Sequence, residues 1–254
     1  MTVQESHPRY QSLRIRERLV AGVKVGITSQ EGLIAHGRGE AFDYMLGERT
    51  IDSAIQASRA AVATLLAAKR PVLSVNGNVA ALVPDEIIEL SRVTGAQIEI
   101  NLFYRTENRV RAIVDHLRAH GTSAQEILGE HPDAALPLDH ARSRVCAAGI
   151  HAADVVLVPL EDGDRCQALA NMGKSVITID LNPLSRTAEA ATITIVDNVV
   201  RAIPNMIRLA RQMGGLPDDR LSEIARRHDN NEALQDAIRE IVSQGVGQWE
   251  TEAP

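Results

Sequence analysis

The chain has 254 residues, which suits one large domain or a core with a smaller attached segment. Its formal net charge is −6 and only 2% of its residues are aromatic, which argues against binding to duplex nucleic acid and against a stacking platform for single strands. It has no apolar run long enough to span a bilayer.

The cysteine pattern and the first residues indicate a cytoplasmic protein with no membrane partner. Cys146 and Cys166 lack the spacing of a metal site and are predicted to be reduced interior thiols. No basic region followed by an apolar one opens the chain, so no signal peptide is expected. The only lysines are Lys24, Lys69 and Lys174. Contacts to phosphate must therefore come mainly from arginine, which holds oxyanions in a bidentate manner.

The first seventy residues are predicted to be helical. A helix over about 8–23 has a broad apolar arc, with Arg9 and Arg16 projecting from its middle. An arginine on an inward face needs an anion, because an unpaired buried charge is costly. That anion is either a protein carboxylate or a bound phosphate or carboxylate. Thr50 is predicted to cap a second helix, which ends near Ala68.

A glycine-containing segment, Gly32–Tyr44, lies between these helices. Gly37 and Gly39 flank Arg38, so the pattern suggests a turn that brings backbone N–H groups close to an anion. A plain glycine turn is the alternative. The segment is not a dinucleotide fingerprint, because Phe42 replaces the third glycine and no clear strand precedes it.

From Pro71 onward, strands alternate with helices, a pattern typical of a mostly parallel sheet with helices on both faces. Strands are predicted at 72–75, 97–102, 155–159, 177–180 and 193–196. Helices are predicted at 84–93, from the end of the 103–108 loop to about 120, and at 139–152. A short helix that follows the strand 155–159 and its acidic loop is predicted to run through 169. Further helices are predicted at 198–213 and within 217–243.

These elements predict an α/β fold, a Rossmann-like, doubly wound and mostly parallel five-stranded sheet. An N-terminal helical segment (1–70) packs on a nucleotide-binding core (71–215), and C-terminal helices with a mobile tail after Gly245 follow (216–254).

Three neighbouring strands turn polar at their carboxyl ends, where ligands bind in open α/β sheets. The mixture of amides, carboxylates and arginines there suits a nucleotide, and Asn198 opens a helix whose first N–H groups can bind an anion. Carboxylates after the strand 155–159 could hold Mg²⁺ or an ammonium group, or could form a solvated loop. The polar groups are Glu161, Asp162, Asp164, Arg165, Asp180, Asn182, Ser185, Arg186, Thr187, Asp197 and Asn198.

Six long segments resemble the archaeal 4-phosphopantoate–β-alanine ligases, also called phosphopantothenate synthetases. The resemblance runs from residue 6 to about residue 213 and is weak beyond that point. The segments are Ser6–Tyr10, Gly32–Tyr44, Ser74–Pro84, Glu99–Glu107, Val158–Arg165 and Ile177–Arg186.

The resemblance implies a homodimeric enzyme of coenzyme A biosynthesis on a Rossmann-like core. Such an enzyme joins 4-phosphopantoate to β-alanine and converts ATP to AMP and pyrophosphate. Mg²⁺ is expected to share the charge of the ATP phosphates. By matching position, the ATP contacts fall on Arg16, Arg38, Asp180, Leu181, Asn182, Arg186, Thr187, Asn198 and Val199.

Further site residues follow from their position at strand exits. His36, Asn76, Asn78 and Arg105 are candidates for binding phosphopantoate, and Glu161 or Asp162 for the β-alanine ammonium group or the metal. Arg16, Arg38 and His36 are the expected catalytic residues.

Two other functions stay open at this point. One is a nicotinamide-dependent oxidoreductase on the same sheet, disfavoured by the missing glycine fingerprint. The other is a non-enzymatic nucleotide-sensing module.

Overall fold

The computed structural model describes residues 4–7, 9–121 and 127–250, the last six without their side chains. Three helices come first: α1 (Tyr10–Lys24), α2 (Gln30–Met45) and α3 (Asp52–Ala67). Pro8, predicted in the first turn of α1, lies outside the described residues. In the part of the chain that is described, no helix combines the length and apolarity needed to cross a membrane.

The sheet and its helices follow in alternation. They are β1 (Pro71–Val75), α4 (Gly77–Leu82), α5 (Pro84–Thr94), β2 (Gln97–Ile100), α6 (Glu107–Ala119), β3 (Ala134–Ala135), β4 (Arg144–Val145), β5 (Val155–Leu157), α7 (Gly163–Asn171), β6 (Ser175–Ile179), α8 (Arg186–Ala190), β7 (Ile193–Ile195), α9 (Val199–Met213), α10 (Asp218–Arg226) and α11 (Asn230–Glu250).

The predicted fold class is confirmed. The five predicted strands form one sheet, in which β1, β2, β5, β6 and β7 are all parallel and are arranged in the order β2-β1-β5-β6-β7. The chain builds β2 on one side of β1 and then returns to build β5 on the other. In doubly wound sheets, the crevice at such a reversal, outside the carboxyl ends of the strands, is the usual ligand site.

Alternating residues of each strand pack into two separate apolar layers, one on each face of the sheet. Leu73, Leu157 and Ile177 face the layer that contains α3, α5 and α9. Val156 on β5 belongs to the opposite layer, which includes Cys166 on α7. Each strand is therefore buried on both faces, as expected for a parallel sheet covered by helices.

The helix predicted at 139–152 is wrong. The region instead contains the antiparallel pair β3–β4, a 3₁₀ turn (Ala141–Ser143) and a π-helical turn (Ala147–His151). The buried Glu99 carboxylate on β2 explains this, because it accepts hydrogen bonds from the backbone N–H groups of Cys146 (2.9 Å) and Ile150 (2.6 Å). These two backbone N–H groups therefore bind the buried Glu99 carboxylate, whereas in a regular α-helix they would donate to carbonyl groups of the same helix.

The turn predicted around Gly37 and Gly39 is also wrong, because both glycines lie inside α2 and neither has a positive φ. Helix α2 begins after Ser29, whose hydroxyl accepts from the backbone N–H of Gly32 (3.3 Å). A Cβ on Gly39 would lie 3.6 Å from Cδ1 of Leu181. The segment thus brings α2 next to the loop after β6 and forms no backbone anion site.

The start of α3 differs from the prediction in one detail. Ile51 is the N-cap residue. The hydroxyl of Thr50 donates instead to Oδ2 of Asp197 (2.7 Å), which ties this turn to the end of β7.

The C-terminal helices pack against the first part of the chain, with α10 and α11 both contacting α3. Helix α11 extends to Glu250, and the rest of the predicted mobile tail, residues 251–254, lies outside the described residues. Since α3 also packs on β7 and α9, the segment boundaries near 70 and 215 stay predictions.

We expect Gly77→Ala to lower the free energy of unfolding by about 2–3 kcal/mol, the cost typical of overpacking. A Cβ at this position would lie 2.3 Å from the carbonyl oxygen of Ile27 and 3.0 Å from Cα of Thr28, and backbone atoms cannot easily give way. Gly37→Ala is the matched control, because a Cβ there meets nothing within 4 Å. It should be neutral or stabilising by up to about 1 kcal/mol, since alanine favours helix. Urea denaturation of both variants measures the difference, and equal effects would contradict this packing.

Candidate functional site

Helix α2 lies over the carboxyl edge of the sheet and closes two adjoining clefts. The first, of about 320 Å³, lies where β1 and β5 end and is lined by Asn76, Arg109 and Leu160 among others; we name it the switch-point cleft. The second, of about 550 Å³, lies beside the loop after β6 and is named the β6 cleft. Both volumes are in the range of small-molecule sites. The two clefts share Ala35, Arg38, Asn78, Leu160 and Glu161.

The loop after β6 is shaped by its own side chains. Asp180 accepts hydrogen bonds from the backbone N–H of Asn182 (2.9 Å) and from the hydroxyl of Ser185 (2.5 Å). Asn182 accepts in turn from the backbone N–H of Leu184 (2.9 Å). Burial raises the pKa of Asp180, against the opposing effects of these hydrogen bonds and of the Arg38 charge. The structure therefore brings Asp180, Leu181 and Asn182 together at the wall of the β6 cleft.

Arg186 and Thr187, two further predicted nucleotide contacts, follow this loop, and only Thr187 lines a cleft. Thr187 lines the β6 cleft, and its buried hydroxyl donates to the carbonyl oxygen of Glu161 (3.0 Å). The Arg186 side chain is 75% exposed and pairs with Asp164. Arg186 does not line either cleft, so a ligand would have to draw it away from that carboxylate.

Arg16 does not point inward as the helical arc predicted. Its side chain is 44% exposed, and its Nε lies 3.0 Å from Oε2 of Glu40 on α2. Helix α1 instead buries Ser12, Ile15 and Leu19. Two kinds of anion were predicted as partners for Arg16, a protein carboxylate and a bound phosphate or carboxylate. The structure contains the protein carboxylate.

Arg38 occupies the boundary between the two clefts. It is exposed and lines both of them. Among the described residues, no carboxylate lies within 4 Å of its guanidinium group. It is therefore a cation available to an incoming anion.

His36, two residues before Arg38 on α2, is buried, with 7% of its surface exposed. It separates the β6 cleft from a further cavity of about 450 Å³, lined by Glu40, Asp43 and Asn198 among others. Its Nε2 has no hydrogen-bond partner among the described residues. Burial lowers the pKa of His36, while Glu40 and Asp43 act in the opposite direction, so the imidazole is neutral at pH 7.

The start of α9 is anchored to α2 by charge. Nδ2 of Asn198 donates to Oδ2 of Asp43 (2.8 Å), and Oδ1 of Asn198 accepts from the backbone N–H of Val200 (3.3 Å). Arg201 bridges the buried carboxylates of Asp43 and Asp197. The Asn198 side chain thus serves the fold, and Val199 beside it is 2% exposed.

The carboxylates after β5 are not free. Glu161, with its side chain 1% exposed, contacts the guanidinium groups of both Arg142 and Arg165. Asp162 caps α7 by accepting from the backbone N–H of Arg165 (2.9 Å), and its other oxygen lies 3.1 Å from Nε of Arg142. An ammonium group or a metal would therefore have to compete with these arginines for Glu161 or Asp162, and that assignment stays a prediction.

Asn76 joins the ends of β1 and β5. Its Oδ1 accepts from the backbone N–H groups of Asn78 and Val79, both at 3.1 Å, and its Nδ2 donates to the carbonyl oxygen of Pro159 (2.9 Å). Its Nδ2 also lies 3.3 Å from the carbonyl oxygen of Leu160. Leu160 has a φ of +53°, a left-handed conformation that costs a branched residue about 1–3 kcal/mol. Such strain at a cleft wall is typical of functional sites.

Asn78 and Arg105 have different surroundings. Asn78 lines both clefts, with Nδ2 donating to the carbonyl oxygen of Gly32 (2.9 Å) and Oδ1 accepting from Thr28. Arg105 lines neither cleft. Its guanidinium donates to the carbonyl oxygens of Gly129 and Glu130. The structure therefore does not bring Arg105 to the site.

Two arginines of the switch-point cleft were missed by the sequence analysis. Arg109 follows a predicted strand exit, and that position could have signalled it. Arg142 lies in the region wrongly predicted as helix, and nothing in the sequence marks it. Over the described ranges, no group of three or more His, Cys, Asp or Glu side chains could hold a metal ion.

The fold and the clefts define a class: a doubly wound α/β protein with arginines at the carboxyl edge of its sheet, as in many nucleotide-dependent enzymes. Residues 53–244 match the family described as phosphopantothenate/pantothenate synthetase. The chain belongs to this family, so the resemblance is confirmed, and the match continues past residue 213.

Individual relatives in archaea are similar over nearly their whole length. The chain is 57% identical over 239 residues to the 4-phosphopantoate–beta-alanine ligase of Methanosarcina mazei, covering 94% of each chain. It is 56% identical over 242 residues to the ligase of that name from Thermococcus kodakarensis, covering 95% of this chain and 92% of the relative. The corresponding Methanospirillum hungatei protein is 49% identical over 240 residues, or 94% and 96%.

We expect His36 to make stability depend on pH. Its folded pKa lies below the unfolded value of about 6.5, so the unfolded chain binds more protons and stability falls as pH drops below that value, by at most about 1.4 kcal/mol per unit. The stability advantage of the wild type over His36→Gln should therefore shrink from pH 7 to pH 5. His116 and His228, also lowered in pKa by burial, are present in both proteins and cancel in the difference. A constant difference, measured by urea denaturation, would contradict a buried neutral His36.

Proposed function

We propose that the protein is an ATP-dependent ligase that joins 4-phosphopantoate to β-alanine in coenzyme A biosynthesis, with release of AMP and pyrophosphate. Relatives at 49–57% identity over 94–95% of the chain carry the name 4-phosphopantoate–beta-alanine ligase. The observation that carries the proposal is the pair of adjoining clefts with Arg38 in both. One guanidinium group can thereby face two anionic substrates.

We assign ATP to the β6 cleft and the phosphorylated acid to the switch-point cleft. The loop 180–182 and Thr187 offer amide, carboxylate and hydroxyl groups for a nucleoside. The acid carboxylate would then meet the α-phosphate at the shared boundary, beside Arg38 and Asn78. Holding two reactants in this way supplies much of the rate enhancement in such a reaction.

The proposed chemistry has two steps. A carboxylate oxygen of 4-phosphopantoate attacks the α-phosphorus of ATP, a P–O bond breaks, and pyrophosphate leaves with the electron pair, giving an acyl-adenylate. The β-alanine amine then attacks the acyl carbon, AMP leaves with the former carboxylate oxygen, and the amine proton is released. Arg38 would stabilise the negative charge that develops on the phosphate oxygens.

Arg16 and His36 are proposed to assist at the same nucleotide. Arg16 is held by Glu40 in the structure, so a phosphate group would compete with that carboxylate for its guanidinium. His36 lines the β6 cleft, and its buried Nε2 has no hydrogen-bond partner among the described residues. A neutral imidazole with its proton on Nε2 can donate a hydrogen bond to a phosphate oxygen.

Mg²⁺ is the expected metal, and the described side chains do not fit a dedicated cage for it. Mg²⁺ commonly binds substrate phosphates through few protein ligands and keeps several waters. We therefore expect it to enter with ATP, and no step above is assigned to it.

A homodimer is the proposed assembly. Helix α2 exposes large apolar side chains, with Ile34 at 67% and Tyr44 at 70% exposure, and exposed apolar surface of this kind often marks an interface.

An isotope-exchange experiment tests the adenylate. We expect labelled pyrophosphate to exchange into ATP when 4-phosphopantoate is present and β-alanine is omitted, and we expect AMP as the nucleotide product of the full reaction. Formation of ADP and phosphate instead would reject the adenylate. A nucleotide sensor would release no pyrophosphate under any condition, and an oxidoreductase would be recognised by tight binding in a nicotinamide titration.

Replacing the arginines tests the nucleotide assignment. Arg38→Ala should lower kcat/KM by about 10²-fold, the typical cost of one lost donor to a transition-state oxyanion. Arg16→Ala should have a smaller effect, about 10-fold by the same reasoning, because Glu40 already offsets its charge. Arg14→Ala is the matched control, because Arg14 is an exposed arginine on the same helix that donates to Tyr10 of that helix, whereas Arg16 pairs with Glu40 on α2. Full activity of either variant at both limiting and saturating ATP would show that its assignment is wrong.

A further inference from the structure

Arg109, on the first turn of α6, lines the switch-point cleft and is held in place by uncharged groups. Its Nε donates to the carbonyl oxygen of Ile27 (3.2 Å), and its Nη1 donates to the carbonyl oxygen of Tyr104 (3.1 Å). Two of its five N–H groups are used in this way. The guanidinium is therefore oriented while most of its hydrogen-bonding capacity is left unused.

The charge of Arg109 is not neutralised at close range. Within the described ranges, no carboxylate oxygen lies within 4 Å of its guanidinium group. Burial lowers the pKa of Arg109, Glu31 at the exposed rim raises it, and Arg142 lowers it. Arginine nevertheless stays charged in proteins, so a half-buried cation faces this cleft.

The other charges of the cleft cancel one another. Glu161 and Asp162 are engaged by Arg142, and Glu161 also by Arg165. Arg38 and Arg109 are then opposed only by Glu31 among the charged side chains that line this cleft. When the buried Arg165 that pairs with Glu161 is counted, four arginines face three carboxylates and the surplus is one positive charge, with Arg38 and Arg109 as the guanidinium groups that have free N–H donors.

The surroundings of Arg109 are also closely packed. A Cβ on Gly77 would lie 2.7 Å from Nη2 of Arg109, so the turn between β1 and α4 passes directly against the guanidinium group. A donor fixed in this way loses little conformational entropy when it binds an oxyanion, and bidentate contact with a phosphate suits its planar fork.

We propose that Arg109 binds the phosphoryl group of the acid substrate in the switch-point cleft and thereby makes the enzyme select the phosphorylated acid over the same acid without phosphate. This inference rests on the proposed function and adds its specificity-determining residue. The carboxylate end of the acid would then extend towards Arg38 at the boundary of the two clefts. An acid that lacks the phosphate leaves the desolvated Arg109 donors unpaired, which penalises it strongly.

The test compares two acids in one enzyme. Wild type, Arg109→Gln and Arg109→Lys are assayed with 4-phosphopantoate and with pantoate, and ATP is varied for each. With Arg109→Gln we expect kcat/KM for 4-phosphopantoate to fall by about 10²-fold or more, mainly through KM, while kcat/KM for pantoate and KM for ATP change less than about 3-fold. Arg109→Lys should recover part of the loss, because it keeps the charge without the fork.

Arg111→Gln is the matched control, since Arg111 is an exposed arginine two residues further along the same helix. It should leave the selectivity between the two acids unchanged. Where pantoate turnover falls below detection, calorimetric binding of each acid to wild type and to Arg109→Gln gives the same ratio.

The possible failures are distinct. Equal losses for both acids would overturn the inference and leave Arg109 a structural role through Ile27 and Tyr104. A rise in KM for ATP with unchanged selectivity would overturn it in favour of a nucleotide contact. If wild type formed no 4′-phosphopantothenate at all, the proposed function itself would fall. If wild type formed it and Arg109→Gln kept the selectivity, this inference alone would be lost.

Discussion

The position of helix α2 over the carboxyl edge of the sheet is the constraint on which the candidate site depends. At the N-terminal end of the helix, the Asn78 amide donates to the carbonyl oxygen of Gly32. Near its C-terminal end, the buried Asp43 accepts from Asn198 and pairs with Arg201. Both anchors are buried and polar, and breaking such bonds costs more than making them gains. Helix α2 is thereby fixed over the sheet, and both clefts exist because of it.

This placement also sorts the arginines into two kinds. Arg142, Arg165 and Arg201 form ion pairs with buried carboxylates and shape the walls of the site. Arg38 and Arg109 face the clefts without a carboxylate within 4 Å among the described residues. Buried ion pairs contribute little net stability but fix geometry, since leaving one member unpaired is costly. The paired arginines therefore position the site, and the unpaired ones are left to meet a ligand.

The sheet topology explains why two clefts lie side by side. The order β2-β1-β5-β6-β7 opens a crevice between β1 and β5, and the loop after β6 forms a second hollow beside it. In the proposed function, these adjoining clefts would bring the acid and the nucleotide together. The strained Leu160 backbone lies at the wall that the two clefts share.

The sequence alone determined the features that depend on local pattern. Alternating apolar residues placed all five strands to within one or two residues at most ends, and they gave the parallel, doubly wound class because each strand must be covered on both faces. The six segments named in the sequence also predicted the phosphopantothenate synthetase family, which the family match confirms. The grouping of Asp180 and Asn182 at one sheet edge also followed from strand position, whereas Leu181 was added by the family resemblance.

Only the tertiary structure decided the contacts between residues far apart in the chain. Glu99 reaches across about fifty residues to Cys146 and Ile150 and replaces a predicted helix with irregular turns. Arg16 forms a salt bridge with Glu40, and Glu161 forms salt bridges with both Arg142 and Arg165. Helical periodicity and composition cannot show such pairings, because the energy of a buried charge depends on which partner the fold brings within reach.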